Sequence, residues 1–256
     1  MLTIDKLLIV RLMKRLLFLG VLAVLFSCSD VISASDTLAK KVYTEIEVSE
    51  GGSIVGNVKF AGDIAASELN LYGGWALSEV AKSPSEKVVV SKINGGLKSV
   101  VVSLTDISAG KKKINPEIHP IIDQQKNCFI PRVTAILAGT SVDILNGDEE
   151  LHTVHTKTTR NQPFNHGANY KMRITKTFEY PETIKLTCDI HKKSYAWIVV
   201  LDNPYFDVTD RNGYFEICDI PPGAYKLQVW HEELGNLEKE VTIHPKEITK
   251  VELVYS

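Results

Sequence analysis

Two short stretches of this 256-residue chain hold the residue types that bind transition metals. "TCDIHKKSYAW" (187–197) places Cys188 and His191 three apart at the end of an alternating run. "DILNGDEELHTVH" (143–155) sets Asn146, Asp148 and His152 in an N-x-D-x-x-x-H arrangement just after another such run. In chain order the candidate ligands are His152, Cys188 and His191. Two imidazoles and a thiolate are borderline and soft donors, suited to copper or zinc rather than to calcium or magnesium. A lone C-x-x-H says little; the combined order carries the argument.

The remaining histidines read more plainly. His155 stands three residues after His152, so on a strand it faces the opposite side. His166, in "FNHGAN", reads as a loop residue. Both are kept as extra ligands to be tested. His231 and Glu232 in "VWHEELG" suggest a hydrogen bond at a strand end, and His119 and His244 suggest surface loops. Trp197 and Trp230 alternate with core positions and read as packing.

These residues must be held by strands. In "TIKLTCD", Ile184, Leu186 and Cys188 share one face, with Thr183, Lys185 and Thr187 on the other. "AYKLQVW" and "KVELVYS" alternate in the same way, and "DRNG", "IPPG" and "LAGT" punctuate the runs as turns. Short alternating strands between such turns predict an all-β sandwich or barrel architecture. The stretch from Ala66 to Lys92 is the least regular, with either a short helix around Trp75–Lys82 or a loop.

Two families are resembled. "FDVTDRNGYFEICDIPPGAYKLQVW" is similar to the carboxypeptidase-regulatory-like (transthyretin-like) β-sandwich, through its TD-x-x-G-x-F and PPG-x-Y-x-L-x-V pattern. Those residues supply too few strands for a stable sandwich. "GGSIVGNVKFAG" (51–62) and "LKSVVVSLTD" (97–106) fit its missing strands. "CFIPRVTAILAGTSVDILN", followed by His152, Cys188 and His191, resembles the cupredoxins, especially plastocyanin and amicyanin. That resemblance implies a Greek-key β-sandwich over about residues 119–202. It also implies copper as cofactor, with His152, Cys188 and His191 as ligands and Asn146 tying the ligand loops together by hydrogen bonds. Proteins of this two-module make-up are also similar to methylamine-utilisation proteins, which implies a redox partner protein. The departure is Ser194, which stands where the amicyanin loop C-x-x-H-x-x-M carries its axial methionine. Three arrangements follow. The site is three-coordinate with a raised potential, or water fills the fourth position, or His155, His166 or Met172 supplies it.

The expected organisation is a signal segment (1–34), a linker (35–47), an N-terminal β segment (48–116), a cupredoxin-like domain (117–202) and a transthyretin-like segment (203–256). In it the β segment opens a split transthyretin-like domain that receives the metal-bearing module as an insertion. Arg11, Lys14 and Arg15 precede the apolar run Leu16–Phe26, which is shorter than the ~20 residues that span a bilayer. The pattern is that of a secretory signal, with cleavage after Ala34 or, alternatively, a lipid anchor at Cys28. The expected location is therefore periplasmic or secreted, or membrane-anchored in the lipoprotein case. Beyond the signal lie Cys128, Cys188 and Cys218; if Cys188 binds metal, the other two are available to pair. The net charge of −2 and the single short basic run Lys111–Lys113 give no footprint for nucleic acid. No nucleophile–base pair, phosphate loop or paired acids stand out, so hydrolytic chemistry has no support, and the resemblance to cupredoxins implies a non-enzymatic one-electron carrier. The alternatives are a metal-free binding protein whose C-terminal module takes a surface glycan or protein, and a copper-delivery protein.

Overall fold

The computed structural model describes residues 43–62, 69–72 and 88–256. The signal segment with Cys28 and Ala34, most of the linker, and the stretch Trp75–Lys82 lie outside the described residues. The described residues form strands and turns and no helix, as the period-two alternation requires.

The strands gather into two sandwiches in an order the sequence does not display. The chain begins with β1 (Thr44–Glu45), β2 (Gly52–Phe60), β3 (Leu69–Tyr72), β4 (Val88–Ser91), β5 (Val101–Thr105) and β6 (Ala109–Gly110). It continues through β7 (Ile121–Gln125), β8 (Cys128–Ile130), β9 (Val133–Leu137), β10 (Thr140–Asn146), β11 (His152–Lys157) and β12 (Asn165–Ala168). Next come β13 (Arg173–Phe178), β14 (Glu182–Thr187) and β15 (Tyr195–Leu201). It closes with β16 (Phe206–Val208), β17 (Tyr214–Ile220), β18 (Gly223–His231), β19 (Gly235–Ile243) and β20 (Ile248–Tyr255).

The inner sandwich pairs a sheet of order β13-β10-β7-β8 with one of order β12-β11-β14-β15-β9. The outer sandwich pairs β16-β5-β18-β19 with β17-β2-β20. Strand β16 lies antiparallel to β5, so the chain leaves the outer sandwich after β5 and rejoins it beside the strand it left. Two separate apolar cores follow from this. Ile54, Val58, Leu104, Phe215, Leu227 and Leu253 pack in the outer one, and Ile122, Ile144, Val154, Ile184, Leu186 and Ile198 in the inner one. The turn signals act where the chain reverses. Gly213 of "DRNG" has φ +76°, and a Cβ there would sit 2.2 Å from the Val58 carbonyl oxygen, so glycine is required.

A third apolar cluster joins the sandwiches. Val101 of β5 packs with Val133 of β9 and Val199 of β15, flanked by Trp197 and Trp230, whose rings meet edge-on at 5.5 Å. The two tryptophans are packing residues, as their alternation predicts. Glu232 is buried under this contact. It accepts a two-pronged ion pair from Arg132 at 2.7 and 2.9 Å and the indole N–H of Trp197 at 2.8 Å. Cys128 sits on β8 of the inner sandwich and Cys218 on β17 of the outer one, and neither forms a disulfide.

His231 makes the strand-end contact expected of it. Its Nδ1 accepts the N–H groups of Glu233 and Leu234 at 3.2 and 3.3 Å. Burial pushes its pKa down from 6.5 to about 4. The folded protein therefore holds this ring neutral, whereas the unfolded chain takes a proton below pH 6.5. Stability is full above that pH and falls between about 6.5 and about 4, by ~3 kcal/mol in the limit. Chemical denaturation at pH 7 and pH 4.5 measures this loss, and His231→Gln should flatten it. Equal slopes for the two proteins would show that other groups set the acid limit.

Candidate metal centre

The three ligand candidates meet at one end of the inner sandwich. His152 opens β11, and Cys188 follows β14, which pairs with β11 from His155↔Thr187 onward. The loop from Cys188 to Tyr195 is closed by two backbone bonds, Ser194 N–H to His191 O at 2.8 Å and Cys188 N–H to Ser194 O at 3.1 Å. That closure turns His191 back toward the sulfur. The Cys188 Sγ lies 3.7 Å from Nδ1 of His152 and 3.7 Å from Nδ1 of His191, and the two nitrogens are 3.0 Å apart. Atoms sharing one ion at ~2.0–2.3 Å have separations of this size. The three residues form a group able to hold a metal ion. The three donors converge on one point in a site where His152 is fully buried and Cys188 is 2% exposed, an arrangement that a cation between them would stabilise.

The surroundings fit that cation. Cys188 Sγ accepts the backbone N–H of Thr153 at 3.4 Å and of His191 at 3.5 Å, dipoles that complement a metal thiolate. Asp148 Oδ2 lies 3.0 Å from Nε2 of His152. Burial raises the Asp148 carboxyl, but the N–H groups of Asn127 and Lys126 and the His152 ring outweigh it and hold it below the usual carboxylate range. An ionised carboxylate only accepts hydrogen bonds, so it holds a proton on Nε2 of His152, and Nδ1 is the nitrogen that faces the sulfur. His191 is less constrained. Its Nε2 is 3.7 Å from a Glu150 oxygen, too far for a hydrogen bond, and the glutamate is largely exposed.

Ser194 is buried at 1% exposure, and its hydroxyl oxygen has no hydrogen-bond partner. It is an unsatisfied polar atom inside the loop that joins Cys188 to Tyr195. The other sequence candidates for a fourth bond do not join the group. His155 points away and binds Asp189 through Nδ1 at 3.0 Å, as its spacing predicts. His166 is exposed and stacks on Phe164, and Met172 is 41% exposed.

Asn146 is fully buried and donates to Glu150 O and Ala168 O, each at 2.8 Å, while its own oxygen accepts Asp148 N–H. It thus shapes the loop that precedes His152. The bond between the two ligand loops falls instead to Thr153, whose hydroxyl accepts Asp189 N–H at 2.7 Å and whose N–H reaches the sulfur. Sequence reading missed Thr153 because a threonine beside a ligand has no spacing signal. Asp148 stood in the quoted motif, but its role depends on a fold that brings its carboxylate under the ring.

Fold and site together define an all-β protein of two sandwiches, one of them carrying a largely buried His–Cys–His group whose His191 is partly exposed. No family model and no curated protein matches the sequence. Among solved structures, the chain is similar to a purple cupredoxin from Nitrosopumilus maritimus at 20% identity and a TM-score of 0.29, over 32% of this chain and 99% of that one. It is similar to the copper-containing nitrite reductase of Thermus scotoductus SA-01 at 23% identity and a TM-score of 0.33, over 39% of this chain and 26% of the reductase. A reduced amicyanin mutant is similar at 17% identity and a TM-score of 0.31, over 34% of this chain and 85% of that one.

Proposed function

We propose that the protein binds one copper ion through His152, Cys188 and His191 and passes single electrons. The observation that carries this is the convergence of the three donor atoms, with Asp148 fixing which nitrogen of His152 takes part. Copper, once bound, supplies a one-electron couple; two imidazoles and a thiolate favour it over the other common divalent ions. The chain's own part is to hold the donors in place in both oxidation states and to keep water from the sulfur. Strands β11 and β14 do the first, and the fully buried His152 with Cys188 does the second. His191 is the ligand that reaches the surface, at 24% side-chain exposure, and its sequence neighbour Ile190 is half exposed. An electron from a redox partner protein enters or leaves at that edge.

In this reading the inner sandwich is of cupredoxin type with serine in place of the axial methionine. The outer sandwich is the transthyretin-like module, and the protein works in the periplasm or outside the cell, freed by cleavage after Ala34 or anchored at Cys28. It is a carrier rather than an enzyme.

The test is titration of the purified metal-free protein with Cu(II), followed by visible absorption and by thermal unfolding. One equivalent should produce a thiolate-to-copper charge-transfer band. Binding at a free concentration 100-fold above Kd should stabilise the fold by ~2.7 kcal/mol. No band and an unchanged Tm would leave a β-sandwich binding module instead, and loss of the metal on reduction would favour copper delivery.

A further inference from the structure

The two histidines of the centre are held unequally. His152 is fully buried and carries the Asp148 carboxylate on its outer nitrogen at 3.0 Å, whereas His191 is partly exposed and has no hydrogen-bonded carboxylate there. Asp148 is itself locked in place. Its two oxygens accept the backbone N–H groups of Lys126 at 2.7 Å and Asn127 at 2.9 Å, and its own N–H is held by the side-chain oxygen of Asn146. The β7–β8 turn, the β10–β11 loop and the ligand thus form one hydrogen-bonded unit. Aspartate at this place is a costly choice if a turn cap were all that was required, since its charge is four-fifths hidden from water.

We propose that Asp148 is a positioning residue that selects the Nδ1-ligating form of His152 and, through that ring, lowers the reduction potential of the bound copper. This rests on the copper reading above. A carboxylate accepting the Nε2 proton makes the opposite nitrogen a stronger donor, and a stronger donor favours Cu(II) over Cu(I). The effect opposes the rise in potential that comes with losing the axial thioether at Ser194. The centre is therefore tuned from behind its buried histidine rather than from the axial position.

The experiment compares wild type, Asp148→Asn and Glu149→Gln in two states. Asparagine can accept from Nε2–H or donate to a bare Nε2, so it keeps the shape but no longer selects the tautomer. Glu149→Gln removes the same charge from the same loop at an exposed residue. In the metal-free proteins, nitrogen NMR of labelled histidine should show His152 as a single Nε2–H tautomer in wild type and as a mixture in Asp148→Asn. In the copper-loaded proteins, Asp148→Asn should weaken Cu(II) relative to Cu(I) about tenfold, a rise of ~59 mV for a one-electron couple. Glu149→Gln should move the potential by less than a quarter of that. Equal potentials for wild type and Asp148→Asn would overturn the proposal. So would an equal shift in Glu149→Gln, which would reduce the effect to general charge. A chain that binds no copper overturns the copper reading instead, and the tautomer measurement then decides the assignment of Asp148 by itself.

Discussion

Cys188→Ala will abolish the charge-transfer band of the copper-loaded protein and weaken Cu(II) binding by at least ~100-fold. The lower bound follows from the fact that loss of an outer hydrogen-bonding partner alone costs 10–100-fold in metal affinity, and Cys188 is the thiolate itself. The fold should survive. The sulfur is buried beside Leu186 and Ile184 in a core that retains every other apolar side chain, and alanine is close to cysteine in size. The band and the unfolding curve therefore separate the two roles of this residue. A metal-free variant that unfolds within a few degrees of wild type and stays colourless with Cu(II) makes Cys188 a ligand. A variant that keeps the band would move the site elsewhere and end the electron-transfer reading. Ser194→Ala serves as the companion, since it removes only the orphaned hydroxyl and should leave the band in place.

The second large effect is expected where the two sandwiches meet. Glu232→Ala should lower stability by ~3–5 kcal/mol, the range for removing one partner of a buried ion pair. In a protein of this size that is a fall in Tm of ~10 °C. Three N–H donors lose their acceptor together. The guanidinium of Arg132 loses both prongs and the Trp197 indole loses its bond, all beside the apolar contact of Trp197 with Trp230. Arg132 also lies over the Tyr195 ring at 3.6 Å, and Tyr195 follows Ser194 directly, so the ion pair braces one end of the ligand loop. Glu232→Gln should cost less, because the amide oxygen still accepts from Trp197. Differential scanning calorimetry reads both variants, and Glu232→Ala should in addition split one transition into two as the sandwiches uncouple. A shift below about 2 °C would show that the apolar cluster alone holds them together.

Part of the candidate metal centre was legible because two of its residues are close in sequence. Cys188 and His191 are three residues apart, and the alternation of Ile184 and Leu186 puts the cysteine on the buried face before any tertiary contact is known. The same period-two argument turned His155 away from His152. His231 stands at a strand end, where a hydrogen bond is expected, and its lone pair does accept two backbone N–H groups. Glu232, next to it, shared the strand-end expectation, but the sequence did not show its partner. Its side chain is 2% exposed because Arg132, 100 positions away in the link between β8 and β9, pairs with it.

The sequence by itself pointed to the class of structure, through period-two alternation between turns, and to His152, Cys188 and His191 as a candidate donor set, through their chain order and the resemblance it carries. The tertiary structure alone decided which nitrogen of His152 faces the sulfur, that Thr153 rather than Asn146 joins the ligand loops, and that His166 and Met172 stay out. The reason is physical. Spacing fixes the face a side chain occupies. Hydrogen-bond partners such as Asp148 and His152, or Cys188 and Thr153, are set by how strands distant in sequence pair and by which sheets they stack against.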